Sequence, residues 1–109
     1  PLEQLQAYYG NYAKTMGYNF PMSVHQYNVY GLKAAYEGEL EWGIGILEKG
    51  VEVFGQSEIL WDNLATVYSM NDDTESALQA SNKALKLARQ HQSKYLSEIE
   101  AQNGELTVD

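Results

Sequence analysis

Apolar residues recur at helical spacing along most of this chain of 109 residues, and no segment alternates with the period of two expected of a half-buried strand. Gly, Pro, Asn and Asp interrupt the pattern and divide it into lengths typical of globular helices, so the chain is expected to be all-α. The helical phase persists between residues 95 and 99, where the last helix either continues or another begins, and the tail after Gly104 is expected to fray. Helices are predicted over residues 2–16, 24–37, 39–54, 58–70 and 74–92.

Several of these predicted helices begin next to residues that favour an N-terminus. Ser23 and Ser57 stand where a hydroxyl can accept hydrogen bonds from the first amides of the second and fourth helices. Either Asp72 or Asp73 can do the same for the fifth. Gly38 follows the second helix, where glycine is favoured because the chain must leave the helical conformation. The boundaries therefore follow from the capping residues as well as from the periodicity.

The second to fifth predicted helices repeat with an offset of 34 residues. Aligning Tyr27 with Trp61 places small residues opposite small residues at three later positions. Large side chains on the first helix of each pair would fill the space between helices, and small ones would let the second helix approach closely. The residues that carry this pattern are Tyr27, Gly31, Gly43, Gly50, Trp61, Leu64, Ala65, Tyr68, Ala77 and Ala84.

This pattern resembles the tetratricopeptide repeat family, whose unit is two antiparallel helices in 34 residues. Ser81 and Ala34 stand where the family's signature has a large aromatic residue, and Arg89 and Gly55 stand where it has proline. The resemblance implies antiparallel helix-turn-helix repeats stacked into an α-α superhelix of about five or six helices. Its expected divisions are an N-terminal packing helix and turn over residues 1–22, repeats over 23–56 and 57–90, and a C-terminal capping helix with a frayed tail over 91–109.

Two repeats are fewer than the three that a stable stack usually needs. The first predicted helix and the segment after residue 92 would cover the two apolar ends, and a homodimer or an adjoining domain would hide whatever they leave open. Tyr8, Tyr9 and Tyr12 on the first helix form a candidate docking face, because tyrosine offers a large contact area at modest entropic cost. The alternative is that these tyrosines pack where helices cross.

A second, narrower resemblance covers the whole chain. A tyrosine-rich helix, a Gly-Tyr turn at Gly17 and two repeats look like the C-terminal extension of some bacterial esterases of the α/β-hydrolase superfamily. Asn63 stands where that extension usually has serine, and Gly55 stands in place of the proline that normally precedes the serine. The chain starts at Pro1 without an initiator Met, so we expect an excised domain. The resemblance implies a catalytic domain upstream, a catalytically silent chain here, and a compartment set by upstream signals.

Composition and charge exclude several classes of protein. Fifteen acidic residues against seven basic ones give a net charge of −8, whereas nucleic-acid binding needs a cationic surface. No apolar run approaches the roughly 18 residues that span a bilayer. The acidic residues concentrate between Glu37 and Glu75, where ten of them accompany one lysine, Lys49. This segment is either a set of solvated helix faces or an acidic surface for a basic partner.

Residue types that carry chemistry are sparse. The chain has no cysteine, which excludes disulfides, thiolate metal sites and cysteine nucleophiles. His25 and His91 have no second ligand at metal-binding spacing. The string around Ser57, Gly-Gln-Ser-Glu-Ile, lacks the second glycine and the preceding strand of a hydrolase nucleophile elbow. We therefore expect no catalytic, cofactor-binding or metal-binding residue, and no enzyme activity in this chain.

Binding is the function that the sequence leaves open. Helical phase turns the following residues of the two first helices toward a concave groove: His25, Asn28, Leu32, Tyr36, Ile59, Asp62, Thr66 and Met70. Because no Lys or Arg is among them, the groove suits an apolar or basic segment better than a terminal carboxylate. A neighbouring domain or helix of the same protein can equally fill it. The expected function is a non-catalytic module for intramolecular docking or oligomerisation in a larger hydrolase; the alternative is an adaptor that holds a peptide or partner helix.

Overall fold

The computed structural model describes residues 22–107, and these form α-helices and no strand, which confirms the all-α class. The helix predicted over residues 2–16 and its Tyr8, Tyr9 and Tyr12 lie outside the described residues. The described helices are α1 (Val24–Tyr36), α2 (Leu40–Val53), α3 (Glu58–Met70), α4 (Thr74–His91) and α5 (Leu96–Thr107).

Three of the described helices, α1, α3 and α4, begin where the capping residues predict. At α1 the Gln26 amide donates to Ser23 Oγ at 3.1 Å, and the Gln26 side chain accepts from the Ser23 amide at 2.9 Å, which completes a capping box. Ser57 Oγ accepts from the third amide of α3 at 3.3 Å. Of the two aspartates before α4, Asp73 is the cap, whereas Asp72 closes the turn with a φ of 59°.

Short turns join α1 to α2 and α3 to α4, so the members of each pair run antiparallel and pack against each other. α3 also packs against α1 and α2, and α5 packs against α4. Residues 54–57 join α2 to α3 by another short turn, so these two helices are antiparallel as well. α1 and α3 therefore run parallel, side by side. The arrangement is compatible with an all-α helical-repeat fold.

Glycines allow α1 and α2 to approach closely. A Cβ atom on Gly43 would lie 2.7 Å from the Gly31 carbonyl oxygen, and one on Gly31 would lie 2.5 Å from Leu47 Cγ. A Cβ on Gly50 would lie 3.0 Å from Tyr27 Cβ. Each interior glycine costs a helix about 1 kcal/mol relative to Ala, and this close packing offsets that cost.

The core consists of two clusters. The first lies between the helix pairs and contains Tyr27, whose hydroxyl accepts a hydrogen bond from the Met22 amide at 3.2 Å and whose ring packs edge-on against Phe54. The second comprises Ala84 and Ala88 of α4 with Ile99 of α5. Of the residues that carry the 34-residue pattern, Trp61 and Tyr68 are half-buried; the others, Tyr27, Gly31, Gly43, Gly50, Leu64, Ala65, Ala77 and Ala84, are buried.

The C-terminal segment decides between the two alternatives for residues 95–99 and differs from the expectation only after Gly104. α4 ends where Gln92 adopts the left-handed conformation, with a φ of 49°, and α5 is a separate helix. The fraying expected after Gly104 is wrong, because α5 continues to Thr107. Leu106 packs against the first core cluster and gives the last turn an apolar anchor that outweighs the unfavourable helix propensity of Gly104.

Candidate functional site

One face of α1 is lined by exposed side chains. His25, Val29, Leu32 and Tyr36 recur at helical spacing and so share a face. Val29 is 42% exposed and Tyr36 is 68% exposed. His25 is also exposed, and Leu32 is half-buried against the first core cluster. The sequence prediction included three of these residues and missed Val29.

A hydrogen bond between α1 and α3 sets their register. Asn63 Nδ2 donates to Asn28 Oδ1 at 2.8 Å, so Asn28 is engaged by the neighbouring helix and does not face an open groove. Since α1 and α3 run parallel, Tyr36 and Met70, each seven or eight residues further along, lie at the same end of the two helices. Met70 is 37% exposed. The predicted groove is therefore open at this end.

α5 covers the middle of the predicted groove on α3. Gln102 Nε2 donates to the Asp62 carbonyl oxygen at 3.0 Å and to Asp62 Oδ1 at 2.7 Å. The Thr66 hydroxyl lies 2.7 Å from Gln102 Oε1 and 3.2 Å from the Asp62 carbonyl oxygen. Asp62 and Thr66 were expected to line an open groove, but a helix of the same chain occupies their side. Ile59, at the start of α3, is half-buried.

Asp62 is the most perturbed acid of the site. Burial raises the pKa of its carboxyl group to about 6; the hydrogen bond from Gln102 acts in the opposite direction, and the negative charge of Glu98 on α5 raises the pKa further. The sequence pattern predicted Asp62 in an open groove, because only the position of α5 brings this carboxyl group out of water. At neutral pH the site therefore holds a half-buried negative charge with a neutral hydrogen-bond partner.

A second ionisable contact joins the start of α3 to the end of α4. Glu58 Oε1 lies 3.2 Å from His91 Nδ1. Burial alone would raise the pKa of the Glu58 carboxyl group, but hydrogen bonds from its own backbone amide, Ser93 and His91, together with the charge of His91, hold it below the usual value. Glu58 lies at a helix N-terminus and His91 at a helix C-terminus, where each charge is favoured. This contact therefore helps to hold α3 against α4.

Two further concavities among residues 22–107 do not assemble catalytic groups. A cleft of about 290 Å³ lies between α3 and α4, and another of about 410 Å³ lies near the turn before Ser57; neither is lined by a histidine or a carboxylate. Among the described residues, no group of three His, Asp or Glu side chains could hold a metal ion. Nor is any helix within residues 22–107 long and apolar enough to cross a membrane. Ser57, the nearest match to a hydrolase nucleophile, caps α3.

Sequence reasoning missed the polar residues that dock α5. Gln102 and Asn103 lie between Ile99 and Leu106 at helical spacing, on the face that packs. Asn103 Nδ2 donates at 3.1 Å to Oγ of the fully buried Ser81, which stands where the repeat signature has an aromatic residue. The sequence signal for this docking was the position of two polar side chains at the helical phase of Ile99 and Leu106. Such a signal is weak, because buried helix faces are usually apolar.

The chain matches no family model, and neither a curated protein nor a solved structure matches it.

Proposed function

We propose that this chain is a non-catalytic helical-repeat module whose α1–α3 face docks protein segments. One observation carries the proposal: of the four large hydrophobic side chains exposed in the described residues, Val29, Tyr36 and Met70 belong to α1 and α3. The fourth, Val53, is on α2. Grouped exposed apolar residues on a soluble domain are typical of an interaction surface.

The docking of α5 supports this reading from within the molecule. α5 lies against α3 through a side-chain amide that bonds to Asp62 and Thr66, while Ile99 packs on α4. A partner at the Tyr36 end of the same surface would use the same combination of apolar anchors and hydrogen bonds. The surface is therefore suited to a helix or an extended segment.

Charge favours a basic partner. Glu37 and Glu39 follow Tyr36 in the turn after α1, and Asp72 lies two residues after Met70; all three are exposed. The C-terminal ends of α1 and α3 add the negative ends of two helix dipoles. Lys33 is the basic residue on this part of α1, so the local balance remains negative. A Lys- or Arg-containing apolar segment would match both the charge and the exposed Tyr36.

The origin of that segment divides the proposal in two. In the first form it belongs to an upstream esterase-like domain or a second copy of the chain, and the module serves docking or oligomerisation. In the second form it belongs to a separate protein, and the module is an adaptor. Sequencing the coding DNA upstream of Pro1 separates them. A strand–Gly-x-Ser-x-Gly–helix unit followed by Asp and His supports the first form, whereas further 34-residue repeats or a start codon supports the second.

The surface itself is tested with a synthetic amphipathic helical peptide that has Leu on one face and Lys on the opposite face. A second peptide, in which Glu replaces every Lys, is the charge control. Fluorescence anisotropy should detect binding of the Lys peptide alone. Tyr36→Ala should weaken that binding more than about tenfold, equivalent to roughly 1.4 kcal/mol, because a central aromatic anchor is lost. Val53→Ala, on α2, is the matched control and should leave the affinity within about twofold. Equal binding by wild type and Tyr36→Ala would contradict the proposal.

A further inference from the structure

α5 has the fewest buried residues of the described helices. Ile99 is its one fully buried side chain and packs against Ala84 and Ala88 of α4. Leu96 and Leu106 are half-buried. A helix held by so few apolar contacts belongs to the low-stability part of a fold. Its polar contacts with α3 therefore have a large influence on whether it stays docked.

Those polar contacts centre on one carboxyl group. Within residues 22–107, Gln102 is the only side chain that hydrogen-bonds to the Asp62 carboxyl group. Undocking of α5 would return water to this group and remove Glu98, whose negative charge acts on it from α5. The ionised carboxylate is therefore stabilised by undocking, whereas the neutral acid is not.

Within residues 22–107, Glu98 is the charged group whose field acts on Asp62. Ionisable groups of the other described helices are exposed or contact other side chains: His25 of α1 is exposed, Glu48 of α2 accepts from Tyr68, His91 of α4 contacts Glu58, and Arg89 of α4 pairs with Glu100.

We propose that α5 is a pH-sensitive latch, a helix that closes over α3 and α4 in mildly acidic solution and loosens as the pH rises, with the Asp62 carboxyl group as its trigger. The latch does not depend on the docking function proposed above. When it opens, it uncovers Asp62, Thr66 and the Ala84–Ala88 face of α4. Protonation would therefore control how much of this surface is available.

The direction and size of the effect follow from linkage. The pKa of Asp62 is about 6 with α5 docked. Undocking would expose the carboxyl group to water and remove the Glu98 charge, and both changes should lower this pKa toward its ordinary value of 3.8. The docked state therefore binds protons more tightly, and docking weakens as the pH rises through about 6. Between pH 4.5 and 7.5 the docking equilibrium should weaken on the order of twentyfold.

Thiol labelling measures this opening directly, because the natural chain has no cysteine. In the chain of 109 residues, Ala88→Cys places a thiol under α5, and Ala34→Cys places one in α1, away from α5; both sites are at most 3% exposed. Ala101→Cys, on the exposed side of α5, supplies the reference rate that corrects for thiol ionisation at each pH. The ratio of labelling rates gives the protection of each buried thiol.

Protection at position 88 should fall about twentyfold from pH 4.5 to 7.5, while protection at position 34 stays constant. Asp62→Asn should abolish the change, and Glu98→Gln should move its midpoint to lower pH. Glu105→Gln, an exposed acid on the same helix, should not move it. The same pH dependence in Asp62→Asn would overturn the proposal, as would a parallel loss of protection at both positions, which would indicate global unfolding.

Discussion

At the scale of single residues, this chain shows the difference between a glycine that packing requires and one that it does not. Gly43 in α2 faces the backbone of α1, where an added Cβ would lie 2.7 Å from the Gly31 carbonyl oxygen. Gly104 in α5 has no heavy atom within 4 Å of its ideal Cβ position. Both are inside helices and both carry the same propensity cost of about 1 kcal/mol relative to Ala.

Alanine should therefore have opposite effects at these two positions. Gly43→Ala should destabilise the protein by about 1–3 kcal/mol, because a backbone atom must move to admit the methyl group. Gly104→Ala should stabilise it by up to about 1 kcal/mol through helix propensity alone. Urea denaturation followed by circular dichroism measures both. If Gly43→Ala were neutral or stabilising, the close approach of α1 and α2 described above would be incorrect.

Sequence predicted residues well where their role was local, and poorly where it depended on a distant helix. Ser23, Ser57 and Asp73 cap helices because of the residues immediately after them, so the local pattern sufficed. The partner of Asp62 is 40 residues away along the chain. Its raised pKa required the position of α5, which periodicity alone does not give. Two of the eight candidate groove residues, Asp62 and Thr66, were consequently predicted to face solvent although α5 covers them.

At the scale of helices, the contact between Glu58 and His91 fixes the open end of the α3–α4 pair. The side chain of Glu58 is 16% exposed and that of His91 is 38% exposed, and they lie 3.2 Å apart. A comparable contact, Arg89 with Glu100, joins α4 to α5 at 3.7 Å with both side chains about half exposed. Solvent screening weakens exposed pairs, so the two contacts provide an internal comparison.

A double-mutant cycle on each pair tests this difference. Glu58→Gln with His91→Gln should give a coupling free energy of roughly 0.5–1 kcal/mol at low ionic strength. Arg89→Gln with Glu100→Gln should give less than about 0.5 kcal/mol under the same conditions. Equal coupling free energies for the two pairs would show that the Glu58–His91 contact stabilises the fold no more than the exposed Arg89–Glu100 pair.

The pH dependence of the Glu58 contribution has a definite sign. Its folded pKa is lowered from the ordinary value of 4.5, so the folded state binds protons less tightly than the unfolded chain. The stabilisation is present above pH 4.5 and is lost as the pH falls through the folded value. Glu58→Gln should thus flatten the acid side of the stability profile. The contribution of Asp62 has the opposite sign, because its folded pKa is raised.

At the scale of the whole molecule, α5 closes the C-terminal end of the stack. Its inner face covers the second core cluster, and its outer face is polar, with Ser97, Glu98, Glu100 and Glu105 exposed. Helical-repeat proteins need such a polar terminal element, because each repeat otherwise leaves an apolar face uncovered. The sequence predicted that a capping segment lies after residue 92. It did not predict the extent of α5, because Gly104 was expected to end the helix although the apolar phase continues to Leu106.

Removal of residues 94–109 should therefore change how the molecule associates. The truncated chain would expose Ala84 and Ala88, both fully buried in the full chain, together with the apolar side chains around them. We expect a lower unfolding temperature and concentration-dependent self-association by sedimentation velocity, since an uncovered repeat face pairs with another. Removing residues 108–109 alone is the matched control and should change neither property. A truncated chain that stays monomeric with an unchanged unfolding temperature would mean that α5 neither caps the stack nor contributes to its stability, and the latch would then control no apolar surface.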